Sequence, residues 1–132
     1  MKKISSMLTL CVSLATALPA PAADPALVAR YSAQAPKDVS AERGKAFYGA
    51  THTDTQGREV GCATCHTADP RATGKTRAGK AVEPLAPAAN PQRFSDEAKV
   101  EKWFTRNCGD VLGRACTPQE KGDFIAYLMS LK

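Results

Sequence analysis

Histidine and methionine are scarce in this chain, with two of the first and three of the second among 132 residues. Met1 and Met7 fall in the N-terminal leader described below, so only Met129 remains downstream, beside His52 and His66. Long apolar runs are missing too. The run from Ile4 to Leu18 is too short to span a bilayer, and no later stretch is long enough. No basic cluster is interleaved with aromatics, which argues against nucleic acid as a partner. There is no internal repeat or low-complexity tract, and no second Cys/His pair stands at zinc-finger spacing.

The N-terminus opens with Met1-Lys2-Lys3, continues into that apolar run and ends in Pro19-Ala20-Pro21-Ala22-Ala23. A positive start, a short apolar core and a small-residue A-x-A site predict a secretory signal over 1–23, cleaved near Ala22 or Ala23. The expected product is one soluble, periplasmic domain over 24–132. Cys11 lies inside the leader, and Leu10 and Val12 around it are too bulky for a lipidation site. Loss of Lys2 and Lys3 takes the net charge from +5 to +3. That mildly basic balance favours an acidic partner protein.

The stretch with most chemistry is Cys62-Ala63-Thr64-Cys65-His66. C-x-x-C-H is the attachment pattern of a c-type haem: each thiol can add to one vinyl group, and the adjacent imidazole can reach the iron. A thioredoxin-like pair would need a βαβ surround, which is absent. A zinc half-site would need its other half. One covalent haem c is therefore the expected cofactor, held by Cys62, Cys65 and His66. It also supplies apolar surface to a domain whose own core is thin. Export implies an oxidising compartment. Cys108 and Cys116 are the two cysteines left, so one intrachain disulfide is possible. It would be worth about 2.5 kcal/mol on the loop-entropy account.

The pattern predicts an all-α domain of about four helices around the haem. Leu27, Val28 and Tyr31 lie at helical spacing in a first helix over Asp24 to Ala35, which Pro36 ends. Ser40 caps a second, running to Gly49. Its Gly44 marks either close approach of another helix or a tolerated glycine. Thr51 to Gly61 reads as a polar loop. Thr67 to Asn90 has no sustained period and is expected to wrap the cofactor, with Lys75, Arg77 and Lys80 either pairing with haem propionates, forming a docking patch or simply solvated. Ser95 is expected to cap a third helix over Asp96 to about Asn107, where Val100, Trp103, Phe104 and Asn107 share one face. Thr117-Pro118-Gln119-Glu120 is a capping box with proline at the first position. The helix it opens carries an apolar stripe of Phe124, Tyr127, Leu128 and Leu131, widened by Ile125.

The far side of the iron decides the function. Met129 lies inside the last helix, where packing is its natural role. His52 sits in a polar loop. Asn107 stands on an apolar face beside a cysteine, which leaves two readings open: a helix C-cap or an iron ligand.

The chain resembles the sphaeroides haem protein family, small exported oxygen-binding cytochromes c related to cytochrome c double-prime. The resemblance rests on Cys62-Ala63-Thr64-Cys65-His66, Thr73-Gly74-Lys75, Gly79-Lys80, Pro84-Leu85-Ala86-Pro87, Arg93-Phe94-Ser95-Asp96, Val100-Glu101-Lys102-Trp103, Arg106-Asn107-Cys108 and Gly113-Arg114-Ala115-Cys116-Thr117-Pro118. It implies a class I-like cytochrome c fold with one disulfide. In the family's oxygen-binding branch an asparagine directly before the first paired cysteine is an axial ligand in the ferric state. The double-prime branch has histidine there. Asn107 places this chain in the asparagine branch, with His66 and Asn107 as the implied iron ligands.

An amide is a weak, neutral ligand that suits hard ferric iron and binds softer ferrous iron less well. Reduction is then expected to release Asn107 and open a place for O2, CO or NO. The freed amide can donate a hydrogen bond to the incoming gas, and a Cys108–Cys116 link would limit its swing. No distal histidine and arginine pair of peroxidase type can be assigned. The expectation is thus a redox and gas-binding protein rather than an enzyme turning over O2 or NO, and the missing methionine disfavours a plain electron carrier. The resemblance implies redox partners, a dihaem cytochrome c and a membrane cytochrome b.

Overall fold

The computed structural model describes residues 23–132. The expected leader and its Cys11 lie outside the described residues, apart from Ala23. In chain order the elements are α1 (Pro25–Gln34), α2 (Ala41–Gly49), β1 (His52–Thr53), β2 (Glu59–Val60), α3 (Cys62–His66), β3 (Gly74–Lys75), β4 (Ala81–Val82), α4 (Glu97–Leu112) and α5 (Pro118–Ser130). The fold is mostly helical. The four expected helices are α1, α2, α4 and α5, and the fifth is a single turn formed by the C-x-x-C-H stretch itself.

Local chemistry starts most of these helices. The Asp24 carboxylate accepts from the Ala26 N–H at 2.9 Å, with Pro25 at the first helical position of α1. Ser40 Oγ accepts from the Arg43 N–H at 3.2 Å and starts α2. Thr117 and Glu120 close a reciprocal capping box at α5: Thr117 Oγ1 accepts from the Glu120 N–H at 3.2 Å, and Glu120 Oε2 from the Thr117 N–H at 2.8 Å.

α4 departs from expectation at both ends. Asp96, not Ser95, is its cap and accepts from the Lys99 N–H at 3.1 Å. The Ser95 hydroxyl is turned back to the Gln92 carbonyl at 2.8 Å. The helix also runs past Asn107 to Leu112, where Gly113 ends it in the left-handed region at φ 68°. Gly109 inside the helix costs about 1 kcal/mol relative to alanine. Burial of Val100, Phe104 and Cys108 along one stripe outweighs it.

Two expected loops contain short ribbons. β1 pairs antiparallel with β2 (His52 opposite Val60), and β3 with β4 (Gly74 opposite Val82). Asp54 turns the first ribbon: its carboxylate accepts from the Gln56 and Arg58 N–H groups at 2.8 and 2.9 Å. Strands of two residues carry no readable alternation, which is why sequence pattern missed them.

The core sits where α2 and α1 pack on α5. Phe124 is its hub, with ring centroids 6.3 Å from Phe47, 6.2 Å from Tyr48 and 5.7 Å from Phe104. Gly44 allows the α2–α5 crossing, since a Cβ there would lie 1.9 Å from the Asp123 carbonyl oxygen and 2.8 Å from Tyr127 Cβ. Of the two readings of Gly44, close helix approach is the one the structure shows. Beside the crossing, Asp123 is only 4% exposed. It accepts from Arg43 Nε at 2.8 Å and from the Ser40 N–H at 2.6 Å. α4 is tied to the pair by Glu101, which accepts from the Tyr31 hydroxyl at 2.5 Å and Lys121 Nζ at 2.7 Å.

Candidate functional site

The C-x-x-C-H stretch is held from three sides. At its start, Thr64 Oγ1 accepts from the Gly61 N–H at 2.9 Å and closes the turn of α3. At its end, Thr67 adopts φ 63°, an unfavourable conformation for a β-branched residue. Tyr48, reaching across from α2, holds that kink: its hydroxyl meets the carbonyls of His66 at 3.1 Å and Thr67 at 2.7 Å. Against the middle of the turn lies β3. A Cβ at Gly74 would come within 1.9 Å of the Cys65 carbonyl oxygen and 3.0 Å of His66 Cα.

Cys62 and Cys65 are both half-buried, and neither joins the disulfide. Burial pushes the Cys62 thiol up to about 11, so it stays protonated at neutral pH. His66 is half-buried as well. Desolvation, and then the positive charge of Arg93, hold its imidazole below the usual histidine range. It is therefore neutral at pH 7, the form that can donate a lone pair to a metal. Two cysteines on one helical turn, followed by an imidazole whose protonation burial disfavours, fit the needs of a covalent haem.

The chain beyond α3 closes over it. The Pro70 carbonyl accepts from both the Leu85 and Ala86 N–H groups, at 2.9 and 3.1 Å, and Leu85 and Ala86 are buried. Arg93 fastens the same segment, donating from Nε and Nη2 to the Pro84 carbonyl at 3.2 and 2.9 Å and from Nη2 to the Glu83 carbonyl at 3.3 Å.

Asn107 is inside α4, not at its end. Gly113 fills the capping role, with its N–H on the Gly109 carbonyl at 3.1 Å. The C-cap reading of Asn107 therefore falls. Seven residues after Val100, it lies about 20° from that buried side chain around the helix axis. It stands at the margin of the Val100–Phe104–Cys108 stripe and is exposed. The expected shared face is split: Val100 and Phe104 are buried, whereas Trp103 is 41% exposed. The next residue, Cys108, is bonded to Cys116 (Cα–Cα 5.6 Å), linking α4 to the start of α5.

The other candidates have different roles. Met129 packs half-buried against the core. His52 is a ribbon residue opposite Val60. Arg77 pairs with Asp54 at 3.6 Å and joins the turns of the two ribbons. Lys75 and Lys80 are exposed. Sequence reasoning missed Tyr48 and Arg93 as site residues. Tyr48 could have been suspected from its place four residues after Gly44, on the face that meets α5. Arg93 carries no local signal.

Residues 34–128 match the family model described as Domain of unknown function (DUF1924). Over 102 residues the chain is 50% identical to "Cytochrome c-type protein SHP" of Cereibacter sphaeroides, covering 77% of this chain and 79% of that one. Over 88 residues it is 47% identical to "Cytochrome c''" of Methylophilus methylotrophus, covering 66% of this chain and 61% of that protein. Among solved structures, oxidized SHP, described as an oxygen binding cytochrome c, superposes with a TM-score of 0.77 at 46% identity. That match covers 83% of this chain and 99% of the other. Oxidized cytochrome c'' from Methylophilus methylotrophus gives 0.73 at 40% identity, over 81% and 93% of the two chains.

Proposed function

Because the chain belongs to the family of c-type cytochromes that includes SHP and cytochrome c'', we propose that it is a His/Asn-ligated redox protein whose asparagine yields its place to a diatomic gas. It is a monohaem cytochrome carrying one covalently attached haem c. That group supplies one-electron chemistry and, where an axial position is free, a place for a small gas.

Cys62 and Cys65 would form the two thioethers, and His66 would give its neutral imidazole to the iron. Tyr48 keeps the His66–Thr67 backbone in the kinked conformation that presents the ring. Asn107 would be the second residue to hold the iron in the ferric state, and its amide, a weak donor, would hold ferrous iron less well. Its neighbour Cys108 is tethered to Cys116, so an amide freed from the iron would stay close and could donate to O2. Periplasmic residence after leader cleavage and reduction by other cytochromes, a dihaem cytochrome c or a membrane cytochrome b, belong to the same reading. Among the described residues no helix is long and apolar enough to cross a membrane.

The observation carrying this reading is the position of Asn107. It stands mid-helix at the edge of the buried stripe, one residue from the crosslink, with the capping role taken by Gly113. Asn107→Ala is the test. The ferric absorption spectrum should shift, since the iron would lose its amide ligand. O2 affinity of the reduced protein should fall about fivefold, the worth of one hydrogen bond of about 1 kcal/mol. CO, a poorer acceptor, should bind with little change. An unaltered ferric spectrum in Asn107→Ala removes the ligand assignment.

A further inference from the structure

Trp103 is the single tryptophan of the chain and, at 41%, the one large apolar side chain exposed among the described residues. One exposed apolar residue is ordinary on a protein surface. Its place on α4 is what sets it apart. The helix commits its inner side to the core: Val100, Phe104 and Cys108 are buried, and Phe104 meets Tyr31 and Phe124 edge-on, with centroids 6.2 and 5.7 Å apart. Successive helical residues turn by about 100°, so Trp103 stands about 60° from Val100 and about 40° from Asn107 around the axis. Trp103 and Asn107 are thus neighbours on one face, a turn apart.

α4 is not free to roll and separate the two. Glu101 fastens it to Tyr31 at 2.5 Å and to Lys121 at 2.7 Å, and the Cys108–Cys116 bond fastens it to the start of α5. The Arg106 guanidinium stands over the indole, 5.6 Å from its centroid, and is itself 3.8 Å from Asp110. Asn107 is also mid-helix, since α4 continues to Leu112. A helix that gives such a residue to an iron passes across the porphyrin rather than ending on it. The rise from Trp103 to Asn107 is only about 6 Å, so the indole falls over the macrocycle that surrounds the metal. We propose that Trp103 covers the haem on the Asn107 side and limits the gas site to diatomic ligands. This rests on the reading that Asn107 is an iron ligand. An indole is a large, stiff plate with few torsions to lose, suited to bounding a small site. Beside it a diatomic has room, whereas a longer ligand must displace it.

A single tryptophan gives one indole N–H resonance, which needs no sorting from others. In the reduced holoprotein under CO, the porphyrin ring current should carry the indole protons upfield of their ordinary positions. Cross-relaxation between the indole and the haem substituents should appear as well. A tryptophan that only stabilised α4 would show neither. The second measurement is the affinity of the reduced protein for n-butyl isocyanide relative to CO. One methylene too many in a shaped pocket is worth about 10–200-fold, so Trp103→Ala should raise that ratio at least ~tenfold. Trp103→Phe keeps an aromatic plate and should raise it less.

Indole protons at ordinary positions, without cross-relaxation to the haem, overturn the proposal. So does an isocyanide-to-CO ratio that Trp103→Ala leaves unmoved. If the alanine variant fails to mature, the spectrum of the parent still decides. Intact-protein mass spectrometry and the ferric spectrum of Asn107→Ala separate this from the reading beneath it. Covalent haem with a ferric spectrum that ignores Asn107→Ala defeats the ligand assignment. Covalent haem, a ferric spectrum that responds to Asn107→Ala and an ordinary indole resonance together defeat only the role of Trp103.

Discussion

Gly44→Ala should unfold this protein more easily, although alanine is the better helix former. Two effects oppose each other. Inside α2 the exchange gains about 1 kcal/mol from propensity. Against this, the new Cβ would sit 1.9 Å from the Asp123 carbonyl oxygen, 2.5 Å from its carbon and 2.8 Å from Tyr127 Cβ. None of these is the end of a flexible side chain, so relief requires α2 and α5 to move apart. Overpacking of this kind costs about 1–3 kcal/mol or more. Separation also strains the pairing of Arg43 with the buried Asp123. The net loss should be about 2 kcal/mol, the upper end of that cost less the propensity gain, or roughly 8–16 °C in Tm for a domain of this size. Gly109→Ala is the matched control. It lies inside α4 with nothing within 4 Å of the added carbon, and it should gain about 0.5–1 kcal/mol. Urea unfolding of the ferric holoproteins, followed by far-UV circular dichroism, measures both. If the two substitutions shift stability in the same direction, the close-approach reasoning at Gly44 is wrong.

Gly74→Ala puts a methyl on the Cys65 carbonyl and should reduce the yield of covalently loaded protein, read from haem absorbance per polypeptide. Replacing Cys108 and Cys116 together by alanine should cost about 2.5 kcal/mol for a loop of this length and broaden the ferric spectrum as Asn107 gains freedom. Glu120 is held down at about 2, first by its bonds with Arg114 and helped by the Thr117 N–H. A depressed carboxylate stabilises the fold above its unfolded value and loses that contribution as pH falls towards 2. The stability gap between pH 7 and pH 2 should therefore shrink in Glu120→Gln, by less than an unscreened pair would give because Arg114 is half exposed. An equal gap in both proteins would assign the acid sensitivity to other carboxylates, such as Asp123 and Glu101, which are also lowered.

Much of the site was legible because its chemistry is local. A haem motif needs two thiols and an imidazole within five consecutive residues, and a capping box needs two side chains three apart. Neither depends on distant contacts. The pairing of Cys108 with Cys116 was also accessible, since only two cysteines were left for it. Helix ends were harder. Ser95 and Asp96 are both good caps, and the choice between them rested on Ser95 bonding back to Gln92. Extension of α4 through Gly109 ran against propensity and was driven by burial of Cys108, which is a tertiary fact.

The arginines show the boundary most clearly. Neither Arg77, between Lys75 and Lys80, nor Arg93, two residues after Pro91, has an acidic residue within two positions along the chain. Sequence leaves Arg77 a choice of haem propionate, docking patch or solvent and gives Arg93 no role; the structure pairs Arg77 with Asp54 and fastens Arg93 to the Pro84 and Glu83 carbonyls, with its charge felt at His66. Charge can be counted along a chain, but its partner is chosen by three-dimensional proximity and burial. Likewise, the residue type at 107 was written in the order of amino acids. That its amide is spared from capping α4 was decided only when the helix packed and ran on to Gly113.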